Sequence, residues 1–448
     1  MIINIYISNI SEDVWSFIQS MHDGERIVEI DENSYLSDRE LLTLPPGMKN
    51  IAILPTNCQQ ETVPYLKELF GVFDVEILAP QKHTGEICTD ICSDNIILDR
   101  LSELGREAEF RITSYSATEQ FYELINYLRN MGLKVVAPEA PDESELWTVD
   151  YFGSKSGIRQ TADKLQTADN PWMGKGFIVT GIRDVASLAA SIYCRGNGVV
   201  LKTNKAHAGV GVKLFKPQDL PSAYIECREK LEEFLRSENY WQLFPVVVES
   251  MLDADFSVSG GNPNCEFMIT EDCEIKLLYV CGMRVSADGI FKGVEIHKKA
   301  IPEDILSRLL IYGEHLGKEY VKAGYRGYFD VDCIYTKDKK LFIAESNVRR
   351  TGATHVYHAA VNLLGERFMY NSYVLSNNKY ALPFGVKLSF SSLYKKLEPI
   401  LYNKQSKEGL VLASANGLKH GLFGYIIFGK DFGSAHDIEN EMERLLNR

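Results

Sequence analysis

The sequence predicts a multidomain protein, parallel α/β over its first third and α+β beyond it. Three observations predict this. The chain has 448 residues, material for several domains. Short apolar runs alternate with helical spacing up to about residue 150, the pattern of a parallel sheet covered by helices. From about residue 197 strand patterning becomes dense, and the chain closes in a short mixed tail.

Within residues 1–150, strands are expected at 2–7, 51–55, 75–79 and 134–137, and helices at 63–70, 96–104 and 118–131. No glycine-rich phosphate turn follows the first strand. This part is therefore expected to scaffold, or to form half of a substrate cleft, rather than to hold a nucleotide. The acidic, proline-bearing stretch PEAPDESE at 138–145 marks a linker. The pattern is helical from 151 to 196, including a helix at 184–193 opening on Asp184, a residue type that caps helices. Further helices are expected at 303–323 and 354–375. In the tail, strands are expected at 385–390, 410–413 and 423–428, before a closing helix at 434–446.

Composition narrows the function. A hydrophobic content of 45% and a charged content of 24% are those of a globular enzyme. A net charge of −13 repels nucleic-acid phosphate and argues against such a partner. The N-terminus lacks a basic start and a cleavage site, and reads as a first strand. No apolar stretch is long enough to span a membrane. The nine cysteines are scattered, and the one close pair, Cys88 and Cys92, lacks Cys-x2-Cys spacing. Reduced thiols in a cytoplasm are expected.

Three blocks carry chemistry. In YFDVDCIYTKDKKLFIAESN, residues 328–347, Phe329, Val331, Cys333 and Tyr335 alternate with Asp330, Asp332, Ile334 and Thr336. A charged turn and a returning strand ending at Glu345 and Asn347 would set Asp332 and Glu345 together at one hairpin end. Carboxylates and an amide oxygen are hard ligands of the kind magnesium takes. Arg349 and Arg350 follow at once, countercharge for phosphate or carboxylate. In VVLKTNKAHAGVGVKLF, residues 199–215, a strand ends in Lys202 before a loop holding Gly209 and Gly211, whose backbone can approach phosphate. In VVVESMLDADFS, residues 246–257, an apolar strand runs into Glu249 and then Asp255, groups able to meet a purine and a ribose.

In this order the blocks resemble the ATP-grasp superfamily, over roughly residues 150–375. The resemblance implies a pre-ATP-grasp α/β domain at 1–150 and an ATP-grasp N-terminal lobe with phosphate flap at 151–262. A C-terminal lobe with the magnesium site follows at 263–378, and a small α+β domain at 379–448. It implies ATP bound by Lys155, Lys202, the flap residues His207, Gly209 and Gly211, the hinge residues Glu249 and Leu252, and Asp255 on the ribose. It implies two Mg2+ ions held by Asp332, Glu345 and Asn347. Position 330 is Asp where some relatives carry an arginine, so Arg284 or Arg349 is expected to steady the transferring phosphoryl group. The run ESNVRRTGATH at 345–355 is similar, more narrowly, to the pheganomycin-type peptide ligases.

The implied activity is an ADP-forming ligase that joins a small-molecule or peptide carboxylate to an amine through an acylphosphate, in peptide or natural-product biosynthesis. The alternatives are a small-molecule kinase and a catalytically silent ATP-binding regulatory protein. Arg350 is either a surface charge or a grip on a substrate carboxylate. His355 and His358 share a helix face and pack, touch substrate or bind metal. His207 touches phosphate or is solvated. A homodimer is left open.

Overall fold

The computed structural model describes residues 1–167, 170–207, 210–286 and 290–447, and only the backbone of Asn197 and His207. Three sheets organise the chain. The first holds β1 (Ile2–Ile7), β2 (Lys49–Ile53), β3 (Asp74–Leu78), β4 (Glu109–Ser114) and β5 (Lys134–Val136). All are parallel, in the order β3-β2-β1-β4-β5. Ile3, Ile5, Ile51, Ile53, Phe110 and Ile112 are buried in its core, as an α/β reading of 1–150 requires. The strand order reverses at β1, so the crevice beyond the carboxyl ends of β1 and β4 is where such a sheet receives ligands.

The second sheet is antiparallel and small: β6 (Gly176–Val179), β7 (Val199–His207), β8 (Val210–Phe215) and β9 (Val246–Ser250), in the order β6-β9-β7-β8. Strand β6 lies where the sequence pattern reads as helix. The helix after it, Ile182–Ile192, starts two residues before the expected point, behind Gly181 at φ 87°. Asp184 therefore sits in its first turn instead of capping it, where a carboxylate still favours the helix dipole.

The third sheet is antiparallel with eight strands: β10 (Pro263–Ile269), β11 (Ile275–Val285), β12 (Phe291–Ile296), β13 (Gly327–Tyr335), β14 (Leu341–Glu345), β15 (Tyr373–Ala381), β16 (Gly409–Ser414) and β17 (Leu422–Gly429). Its order is β14-β13-β10-β11-β12-β15-β17-β16. One face of β10 and β13, with Cys265, Phe267, Phe329 and Val331, packs beneath the long helix Glu303–Lys322. The other face carries Asn264, Glu266, Asp330 and Asp332.

Two expectations change here. The helix from 354 ends at Leu364, because Gly365 takes φ 88°, and β15 has begun by Tyr373. The expected strand at 385–390 is absent, and a helix, Phe390–Leu397, follows, capped by Ser389. The strands of the tail do not form a sheet of their own. Strand β17 pairs with β15 from Tyr373↔Gly429 to Ala381↔Leu422, so the tail completes the third sheet. Asp38, from the first part of the chain, accepts from the Ser414 hydroxyl and from the Ala415 and Asn416 amides and fastens the tail to it. The 138–145 linker is packed as well: Pro141 accepts from the Tyr122 hydroxyl and Glu139 pairs with Arg350.

Among the described residues no helix is long and apolar enough to cross a membrane. All nine cysteines are free thiols.

Candidate active site

The site grows from one helix, Lys155–Leu165, whose start is fixed by the Ser154 hydroxyl accepting from the Gly157 amide. Lys155 and Arg159 lie one turn apart and share a face. The Lys155 ammonium sits 2.5 Å from Glu345 Oε2, at the end of β14. Arg159 donates to the Gly174 carbonyl at 3.0 Å and pairs with Glu249. Lys202, on β7, reaches the other oxygen of Glu249 at 2.8 Å and donates to the Ala344 carbonyl at 3.3 Å. Burial alone would raise the Glu249 carboxyl, but Lys202 and Arg159 hold it below its usual value. Burial would likewise raise Glu345, yet Lys155, with Lys202 and Arg349 behind it, brings it to about 2. Lys155, Lys202, Glu249 and Glu345 are thus brought together, with Arg159 added to them. The signal for Arg159 was its spacing of four from Lys155.

The acids gather on the inner face of β10 and β13. Asp332 stands opposite Glu345 across the β13–β14 ladder and opposite Asn264 across the β10–β13 ladder. Asp330, two residues along the same face, joins them. The Asn264 side-chain amide donates to Asp332 and, at 3.2 Å, to Asp330. Asn347 donates through its backbone N–H to Asp330 at 2.7 Å and through Nδ2 to Asp330 and Asp332. Burial, opposed by the Asn347 amide and reinforced by Glu345, raises Asp330 to about 6. Burial and the charges of Asp330 and Glu345 raise Asp332 well above the ordinary range. Three carboxylates and two amide side chains, with Asp330 and Asp332 buried and held by amides, are a hard-oxygen donor set that fits magnesium.

Among the described residues no three His, Cys, Asp or Glu side chains stand ready as a complete ligand set. Lys155 occupies Glu345, and amide nitrogens occupy the aspartates. A half-turn of the Asn347 amide would bring its oxygen, now accepting from Arg349 at 3.1 Å, onto the acids. Asp330 and Asn264 were not among the expected ligands. Asp330 was legible in the period-two pattern of its strand. Asn264 was not, because only strand pairing places it there.

Arg349 is held from the other side of the cleft. It donates through Nε to Asp13 Oδ2 at 2.7 Å and through Nη1 to the Tyr115 hydroxyl at 3.0 Å. Asp13 also accepts from the Ser116 hydroxyl at 2.8 Å. Asp13 follows β1 and Tyr115 and Ser116 follow β4, the two strand ends that bound the crevice of the parallel sheet. Burial would raise Asp13, but Arg349 and then Lys205 keep it below its usual value, so it is ionised.

The remaining expected residues fall in different places. Arg350 is buried. It pairs with Glu139 Oε2 at 2.5 Å and lies over the Tyr328 and Tyr6 rings, with centroids 4.5 and 5.3 Å from its guanidinium carbon. It is not a surface charge. In the helix Thr354–Leu364, His355 is buried and His358 is half-buried. Nε2 of His358 lies 3.0 Å from the Tyr328 hydroxyl, and burial, then Arg350, lowers its pKa to about 3. Burial, then Arg39, lowers His355 well below the usual value.

Asp255 is in the loop after β9, its Oδ1 accepting from the Ser257 amide at 3.0 Å and hydroxyl at 2.5 Å. Leu252 packs over Gly174. Gly211 takes φ +83°, and a Cβ there would lie 2.4 Å from Thr203 Cγ2, so glycine is required at this point of β8. Gly209 and the His207 side chain lie outside the described residues.

Arg284 is a correction. Cys281 is opposite Asn264, and Arg284, three residues on, projects from the opposite face of the sheet. There it donates to the Ser376 carbonyl at 3.1 Å and forks onto Glu439 of the closing helix, Phe432–Leu446. It is not brought to the acids.

No protein-family model and no curated protein matches the sequence. Solved structures match it over nearly the whole chain. A biotin carboxylase–β,γ-ATP complex from Campylobacter jejuni is similar at 12% identity and a TM-score of 0.57, covering 99% of this chain and 95% of that one. Phosphoribosylamine–glycine ligase from Thermotoga maritima is similar at 13% identity and 0.56, covering 99% and 96%. N5-carboxyaminoimidazole synthase from Aspergillus clavatus, in complex with ADP and 5-aminoimidazole ribonucleotide, is similar at 10% identity and 0.54, covering 99% and 98%. The parallel sheet in front, the small antiparallel sheet of β6, β7, β8 and β9, and the eight-stranded sheet bearing the acids together give this chain the ATP-grasp fold.

Proposed function

We propose that this protein is an ADP-forming ligase that joins a carboxylate to an amine, and more narrowly a peptide ligase of natural-product biosynthesis. The observation that carries the ligase reading is the alternation of charge across one cleft. Lys202 pairs with Glu249 and Lys155 with Glu345, next to Asp330 and Asp332, and Arg349 donates to Asn347 beside them. Cations beside buried acids are what a polyphosphate with its metal needs, and such a site works by positioning and charge neutralisation.

In this reading residues 1–150 and the tail bound the substrate cleft, 151–262 carry the flap and hinge, and 263–378 carry the acids. Lys155 and Lys202 bind phosphate oxygens. Glu249, Leu252 and Asp255 hold the nucleoside, and the flap with His207, Gly209 and Gly211 closes over the phosphates and excludes water. Asp332, Glu345 and Asn347, joined by Asp330, would hold magnesium, which would supply charge neutralisation at the phosphoryl oxygens. Arg349 steadies the transferring phosphoryl group. Arg350, with Glu139 and the two tyrosines, shapes the substrate end.

The chemistry proceeds in two displacements. A substrate carboxylate oxygen bonds to the γ-phosphorus as the bond to the ADP oxygen breaks. An amine nitrogen then bonds to the acyl carbon, the acyl carbon–oxygen bond to phosphate breaks, and the nitrogen's proton leaves with the released phosphate or to water. The test is turnover of MgATP against pooled amino acids and short peptides, with phosphate release and mass spectrometry. ADP, phosphate and a new amide are expected. A stable phosphoester would assign a kinase instead, and a full panel without ADP would sink the ligase reading.

A further inference from the structure

A small open-sided cleft lies between the segment after β1, strand β7 and the end of β14. Asp13, Lys155, Lys205, Asn347 and Arg349 line it. Its three cations differ in how firmly they are held. Lys155 is held by Glu345, and Arg349 by Asp13, whose side chain is 12% exposed. Among the described residues Lys205 forms its ion pair with Asp150, whose side chain is 66% exposed, while its charge also reaches Asp13. An ion pair with so exposed an acid contributes little, because water serves the carboxylate nearly as well. Lys205 is therefore the cation an incoming anion can recruit at least cost.

The backbone presents it for that purpose. The β7–β8 ladder pairs Lys202 with Val212 and then His207 with Val210, so residues 203–206 bulge against Gly211 alone. Such a bulge re-aims side chains. This one is pinned, since Asn204 Oδ1 accepts from the Ser156 amide at 2.9 Å, at the start of the helix that carries Lys155. Lys202 points to Glu249, while Lys205 is turned to the cavity.

We propose that Lys205 is a further anion-binding residue of this site, exchanging Asp150 for an oxygen of the phosphoryl group as it passes to the substrate carboxylate. The proposal rests on the ligase reading and adds the residue that follows the phosphoryl group. No proton moves: the oxygen–phosphorus bond to ADP breaks as that to the substrate forms, and the Lys205 ammonium stays charged throughout.

Inorganic phosphate, titrated calorimetrically into the full-length protein with saturating MgADP, is the probe. Wild type is expected to bind it. Lys205→Gln should weaken phosphate about tenfold or more, the scale of a charge-assisted hydrogen bond, and leave MgADP affinity within about twofold. Lys205→Arg should restore most of the affinity. Asp150→Asn, which frees the lysine, should tighten phosphate severalfold. Undiminished phosphate affinity in Lys205→Gln overturns the proposal. So does weakening by Asp150→Asn as large as that by Lys205→Gln, which would mark the pair as structural. So too does wild type that binds MgADP but no phosphate. Wild type that fails to bind MgADP overturns the ligase reading itself.

Discussion

The Lys155 ammonium lies 2.5 Å from Glu345 Oε2 and joins the first turn of a helix to the last residue of β14. It keeps a half-buried carboxylate ionised among other acids. Lys155→Gln should raise the Glu345 carboxyl from about 2 and weaken MgADP binding at least tenfold by calorimetry. Unchanged affinity would remove Lys155 from the phosphate site.

Asp330 is an acid kept at a cost to the fold. Burial raises its carboxyl from 3.8 to about 6. A carboxyl raised in the folded state binds more protons there than in the unfolded chain, so its contribution to stability is lost as pH rises through 6. At pH 7.5, Asp330→Asn should stabilise the metal-free protein by on the order of 2 kcal/mol, a few degrees in Tm. It should also reduce the further rise that MgADP produces. A variant less stable than wild type without metal, or with the full MgADP rise, would contradict this role.

Arg284 forks onto Glu439 on the face away from the acids. Arg284→Ala should cost about 1–3 kcal/mol in urea unfolding, through the partner left uncompensated. MgADP affinity should stay within about twofold. Loss of nucleotide binding without loss of stability would return Arg284 to the site.

His358 makes the protein acid-sensitive. Burial lowers its pKa from 6.5 to about 3, so between these values the unfolded chain holds a proton the folded one does not. The His358 contribution to stability is complete above pH 6.5 and falls as pH drops, by roughly 1.4 kcal/mol per unit, or about 2 kcal/mol between pH 6.5 and 5. His358→Gln should flatten that limb of the pH–stability curve. An unaltered slope would place the acid sensitivity elsewhere.

The sequence by itself determined whatever depends on one element. Period-two alternation put Asp330 and Asp332 on one face of β13, and spacing of four put Arg159 beside Lys155. Alternating strands and helices announced the parallel sheet. The glycines after Lys202 announced a turn between two strands, β7 and β8. Tertiary structure decided which elements meet. Whether Arg284 faces the acids turns on β11 pairing Cys281 with Asn264, a matter of register between strands that neither strand's own pattern contains. Asn264 enters the site by the same register. Asp13 reaches Arg349 across 336 residues, because β1 and β4 end at the crevice that closes over β14. The physical reason is common to all three: local periodicity records which side of an element is apolar, whereas a polar site is assembled from elements whose contact is paid for by burial elsewhere.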